Sequence, residues 1–180
     1  MLKPMLALAT LVALAAPASA ETVLILAGHV ITDASKPMRG PSTITVTDGR
    51  ITAIIDGLAR AGPGTRVIDL SAKTVLPGLI DVHVHLTGDP GGDFRNEAVD
   101  STESTVVTGA KNARITALAG FTTVRDLGSA PLAGFALRDG TAKGFIPGPR
   151  ILSAGSAISI IGGHGDVSGF RPEVNAVLDG

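Results

Sequence analysis

One stretch limits the fold more than any other: Leu79-Ile80-Asp81-Val82-His83-Val84-His85-Leu86, a β-patterned run that follows Pro77-Gly78. This nearly continuous β-run predicts a strand buried on both faces of a parallel sheet. The chain after it keeps a regular rhythm. A loop containing Gly88, Pro90, Gly91 and Gly92 leads into a helix predicted from Glu97 to Ala119, with Val106, Ala110, Ala113 and Ala117 at helical spacing on one face. Gly109 weakens that helix by about 1 kcal/mol relative to alanine, and Gly120 stands where a left-handed residue would end it. Phe121–Arg125 is the next strand. Ser129 can cap a second helix, which carries Pro131 in its first turn and stops at Gly144. Pro149–Ala154 is a third strand. The order β-α-β-α-β argues for right-handed crossovers and a parallel sheet.

Residues 21–77 read differently, as short strands broken by turns. Thr22–Leu26 is one strand, closed by Ala27-Gly28. Thr43–Thr47 and Arg50–Ile55 are β-patterned runs joined by Asp48-Gly49, a strong hairpin signal. Arg66–Leu70 and Thr74–Leu76 add two more short strands. His29 falls in this segment and reads as structural or exposed.

The first 20 residues are set aside from the fold. Lys3 supplies a positive start, Met5–Ala16 is uncharged and apolar, and Ala18-Ser19-Ala20 is a small-x-small cleavage pattern before Glu21. A run of that length is shorter than the roughly 20 residues a spanning helix needs. A cleaved signal peptide and an exported, periplasmic or extracellular protein are expected; an uncleaved anchor is the other reading. Without residues 1–20 the chain holds 14 basic and 16 acidic residues, a net charge of −2. That balance suggests neither nucleic acid nor an anionic membrane surface as partner. With no cysteine, the chain has no disulfide framework and no thiolate chemistry.

His83 and His85 carry the chemical argument. Residues two apart on a strand share a face, so two imidazoles can reach one metal ion, and neutral histidine is the commonest metal ligand. Asp81 shares that face one step deeper, where it could support the ligands. By spacing alone, two histidines hydrogen-bonded to their neighbours are the commoner arrangement. His164, flanked by Gly162, Gly163 and Gly165, lies in a loop beyond a strand and could contact a substrate carboxylate or carbonyl with help from Asp166; capping of local backbone is the alternative. Arg125 and Asp126, at the end of the second strand, could bind a charged substrate group or form an ion pair tying strand to loop.

Val75-Leu76-Pro77-Gly78-Leu79-Ile80-Asp81-Val82-His83-Val84-His85 closely resembles the entry strand of the amidohydrolase superfamily. The likeness continues through Gly120–Gly128, Ile146–Leu152 and Gly162–Asp166, and is similar to the imidazolonepropionase-like and prolidase-like subgroup, whose members cleave amide bonds of dipeptides or N-acyl amino acids. The resemblance implies an α/β chain with a small β-sandwich module over residues 21–77. Residues 78–180 would be the first three βα units of a TIM (β/α)₈ barrel. It also implies one or two Zn²⁺ ions held in part by His83 and His85, and a small-molecule amide, dipeptide or lactam hydrolysed by metal-activated water. His164, Asp166 and Arg125 would bind substrate, and Asp81 would support the ligands. A homo-oligomer stays open.

A barrel takes about 250 residues, whereas Leu79–Gly180 provides 102. The family's bridging lysine, two further histidines and the aspartate base are expected beyond residue 180; Lys111 and Lys143 lie on or beside helices and do not match. The 180 residues are therefore expected to be an inactive, poorly stable piece. Two readings stay open beside amide hydrolysis: an exported, non-catalytic β-module that binds a ligand or partner, and an enzyme whose reaction is deamination or C–O cleavage.

Overall fold

The computed structural model describes residues 21–91, 100–130, 132–160 and 163. Along the chain these divide into two compact units, the first ending at Pro77 and the second beginning at Gly78.

In the first unit, strands β1 (Thr22–Val30), β2 (Ser42–Thr47), β3 (Arg50–Asp56) and β4 (Arg66–Val75) form one sheet in the order β3-β2-β1-β4. Of the expected sandwich, the described residues of this unit contain this one sheet. The hairpin turn is as expected, with Asp48 and Gly49 at φ of 49° and 73°. Two successive positive φ values give the type I′ twist that suits adjacent strands, and aspartate and glycine tolerate them. β1 and β4 are both longer than the sequence suggests. β1 continues past Ala27-Gly28 because β4 runs parallel to it along its whole length, with a register shift between Ala27 and His29. A Cβ on Gly28 would stand only 2.3 Å from the Ser71 carbonyl oxygen, so glycine lets the two backbones stay in contact there. β4 thereby joins what look like two short strands into one. Ala27, Val30 and Ile44 form the buried core, packed by Ile25, Val46, Ile54 and Val75. His29 is exposed.

The second unit contains β5 (Leu79–Val84), α1 (Thr102–Leu118), β6 (Phe121–Asp126), α2 (Ala133–Ala142) and β7 (Arg150–Ser153). The strands pair in parallel in the order β5-β6-β7, and both helices pack on one face of the sheet. There Leu86, Ala113, Val124, Leu137 and Ile151 are buried, with Val84, Val106, Ala110, Phe121 and Ile146 packed against them.

Several ends differ from expectation. Ser101 caps α1 by accepting from the Ser104 amide at 3.3 Å, so the helix starts at Thr102; part of the expected start, Glu97–Val99, lies outside the described residues, as does Pro131. Gly120 (φ 99°) and Gly144 (φ 72°) end the two helices in the left-handed region, as expected. Ser129 is not the N-cap of α2: the helix begins at Ala133, Leu132 stands at the cap position in the left-handed region without a side-chain bond, and the Ser129 hydroxyl reaches the first turn from three residues earlier by accepting from the Gly134 amide at 3.2 Å. β5 is not buried on both faces. It has one neighbouring strand, β6, and Ile80 and Val82 are 66% and 55% exposed, because among the described residues nothing covers the sheet face opposite the helices. No helix among the described residues is long and apolar enough to cross a membrane.

Gly109, a weak point by helix propensity, is required by packing. A Cβ there would fall 2.2 Å from Cδ1 of Leu137, which is fully buried, so the leucine side chain would have to shift within the core. Gly109→Ala is expected to lose roughly 1–3 kcal/mol by overpacking, more than the ~1 kcal/mol of helix propensity it gains. Urea unfolding midpoints of the two proteins check this.

Candidate metal centre

A bulge in β5 aims the two histidines. Asp81 stands in register with Val124, but Val84 stands in register with Asp126, so β5 carries one extra residue between them. Paired residues of adjacent strands share a face. Asp81 is therefore in register with a core residue on the helix-covered face, and Val84, three residues on, also packs against the helix-side core. His83 and His85 flank Val84 and project to the opposite, open face. Strict alternation would have kept Asp81 with the histidines; the bulge separates it from them. The Asp81 carboxylate accepts the His83 backbone amide at 3.0 Å, so its observed hold on His83 runs through the main chain, not the ring.

On the open face the His83 and His85 Nε2 atoms are 3.3 Å apart, with ring centroids at 5.3 Å and planes inclined by 69°. Two nitrogens bound to one tetrahedral zinc at 2.0–2.1 Å are about 3.4 Å apart. The residues thus fit a shared divalent ion. The tautomer fits as well: Nδ1 of His85 lies 2.9 Å from the Gly128 carbonyl oxygen, a bond that requires a proton on Nδ1 and leaves the Nε2 lone pair of the neutral ring free. Gly128 has no side chain to interfere, and a Cβ there would lie 3.3 Å from both Nδ1 and Cε1 of His85. Among the described residues no group of three or more His, Cys, Asp or Glu side chains converges on one point.

The loop after β5 is fastened by α1. Asn112 Nδ2 donates to the carbonyls of Leu86 and Gly88, each at 2.9 Å. Lys111 Nζ holds both oxygens of Asp89, at 2.7 and 2.8 Å, and this contact, with Asn112, holds the Asp89 carboxyl below its usual range.

Arg125 and Asp126 form no ion pair with each other. As neighbours on a strand they point to opposite faces: Arg125 is exposed and its Nε donates to the Val82 carbonyl at 3.2 Å, whereas Asp126 is fully buried. Burial raises the Asp126 carboxyl above its usual range, opposed by the amides of Leu86 and Gly128 and by nearby His85. The sequence reading gave Asp126 no part in the histidine site, and overlooked Gly128. The available signal was parity: Asp126 falls on the same strand face as Val124, so a buried carboxylate needing internal partners was to be expected there. His164 and Asp166 lie outside the described residues, as does the segment 1–20.

The Amidohydrolase family profile matches residues 74–180. Dihydroorotase of Trichlorobacter lovleyi (strain ATCC BAA-1151 / DSM 17278 / SZ) is 39% identical over 87 residues, covering 48% of this chain and 20% of that protein. Imidazolonepropionase of Symbiobacterium thermophilum (strain DSM 24528 / JCM 14929 / IAM 14863 / T) is 32% identical over 91 residues, covering 41% and 21%. Among solved structures, a Xaa-Pro dipeptidase with bound methionine in its active site superimposes with a TM-score of 0.77 at 33% identity, covering 84% of this chain and 38% of that one. The chain thus spans about a fifth of the length of the curated relatives it matches. Its three parallel strands with two covering helices agree with the opening of a TIM barrel. With the family profile matched over more than half its length, the chain belongs to the amidohydrolase family.

Proposed function

We propose that the protein to which these residues belong is an exported, metal-dependent hydrolase that cleaves a C–N bond in a small amide, dipeptide or lactam. The observation that carries the reading is the pair of Nε2 atoms 3.3 Å apart, one of them oriented by a backbone carbonyl. His83 and His85 would hold one of one or two Zn²⁺ ions. Such an ion would supply Lewis acidity and lower the pKa of its bound water towards about 7. This chain's own contribution is to keep Nε2 of His85 unprotonated, to set His83 beside it, and to hold the loop after β5 through Asn112. His164, Asp166 and the Nη groups of Arg125 are the proposed contacts for a substrate carboxylate or carbonyl. Asp81 supports His83 through its amide. Among the described residues two imidazoles supply half of a four-coordinate site, so residues 21–180 expressed alone are expected to show no turnover, and the exposed Ile80, Val82 and Leu152 side chains to promote association.

The test uses the full-length protein, stripped with a chelator and offered dipeptides, lactams and aminopurines. Hydrolysis of a dipeptide or lactam that disappears on stripping and returns with Zn²⁺ is the expected result. Turnover only of aminopurines would replace amide hydrolysis by deamination. Undiminished turnover after complete metal removal would reject the metal-dependent reading.

A further inference from the structure

We propose that Asp126 is the positioning residue for His85, holding it from both sides with one buried carboxylate. The inference deepens the metal-site reading and rests on it for the identity of the ligand. Asp126 is fully buried at the end of β6. Its Oδ2 accepts the amide of Leu86, the residue directly after His85, at 3.1 Å. Its Oδ1 accepts the amide of Gly128 at 3.1 Å, and the Gly128 carbonyl is the group that takes the His85 Nδ1 proton at 2.9 Å. One side chain therefore fixes the backbone on the C-terminal side of His85 and also the residue that orients its ring. Two backbone bonds brace the same turn: the Leu127 amide to the Val84 carbonyl at 3.1 Å, and the Ala154 amide to the Asp126 carbonyl at 2.9 Å. The β5 bulge lies immediately before this clamp, between Asp81 and Val84, where the ladder alone would not hold the chain.

The chemistry demands a carboxylate. Both partners are N–H donors, so the position needs two acceptor atoms in a fork. Asparagine has the same shape but offers one acceptor and one donor, which would set an N–H against an N–H in a buried site. Glutamate has the right atoms on a stem one carbon too long.

Asp126→Asn in the full-length protein, compared with Leu137→Ala, is the experiment. Leu137→Ala loses packing in the same core but touches none of these hydrogen bonds. In metal-free protein labelled with ¹⁵N at histidine, wild type and Leu137→Ala are expected to show His85 as the Nδ1–H tautomer, and Asp126→Asn a mixture of tautomers. Zn²⁺ affinity, read by competition with a chromophoric chelator, is expected to fall about 10–100-fold in Asp126→Asn, as for other groups that orient a ligand, and to stay near wild type in Leu137→Ala. Should Asp126→Asn not fold, Gly128→Ala attacks the same link by placing a methyl 3.3 Å from the His85 ring; it is expected to mix the tautomers and lower the affinity too. An Asp126→Asn protein whose His85 signals and Zn²⁺ affinity match those of Leu137→Ala would overturn the proposal, as would an unperturbed His85 in Gly128→Ala. A wild type that binds no Zn²⁺, with His85 still disturbed by Asp126→Asn, would instead reject the metal reading and leave the positioning role standing.

Discussion

Alanine at both His83 and His85 is expected to abolish Zn²⁺ binding by the full-length protein, and turnover with it, while leaving the unfolding midpoint of the metal-free protein almost unchanged. The two effects separate because both imidazoles lie on the exposed face of the sheet, where substitutions ordinarily shift stability by no more than about 0.5 kcal/mol. Losing two nitrogen ligands should exceed the roughly 10–100-fold penalty seen when only an orienting partner is lost. The single variants should differ in degree. His83→Ala leaves His85 still held by Gly128, so one oriented ligand survives. His85→Ala removes that oriented ligand and also the neighbour against which the His83 ring is set. Chelator competition measures the affinity and calorimetry the midpoint. Wild-type Zn²⁺ affinity in the double variant would place the metal elsewhere.

Leu137→Ala is expected to cost about 2–5 kcal/mol, the largest stability loss of any single substitution considered. Leu137 is fully buried in the cluster with Leu86, Ala113, Val124 and Ile151, and it fills the space left by the missing side chain of Gly109. The cavity would open where α1, α2 and the sheet meet, and the glycine's rigid backbone gives little to collapse into it. A loss of that size is a large part of the 5–15 kcal/mol that holds an ordinary domain together, so cooperative unfolding of the second unit should move to clearly lower denaturant. A loss below about 1 kcal/mol would mean that the cluster relaxes around the gap.

The two glycines at the helix ends, Gly120 and Gly144, the Asp48-Gly49 turn and the alternating strand order were all legible from local rules, because each depends on the backbone preferences of one or two residues. The spacing of His83 and His85 was legible too. What failed was the extrapolation of strict alternation: Asp81 left the histidine face because a single extra residue in β5 shifts the register against β6. No local preference in the run Leu79–Leu86 marks that shift; it arises from matching β5 to β6, a strand some 40 residues away. Asp126 and Gly128 were hidden for the same reason, since a carboxylate that grips the amides of Leu86, 40 residues earlier, and of Gly128 has no local signature beyond an acidic residue on a buried parity. Gly109 was read as a defect because helix propensity is local, whereas the Leu137 side chain that needs the space belongs to another helix.

The sequence by itself determined the helices, most of the strands, their order and the imidazole pair, since periodicity, turn chemistry and motif spacing act over a few residues. Only the tertiary structure decided which face those imidazoles occupy, which carboxylate serves them and why a glycine sits within α1, because these depend on register and close packing between segments far apart in the chain.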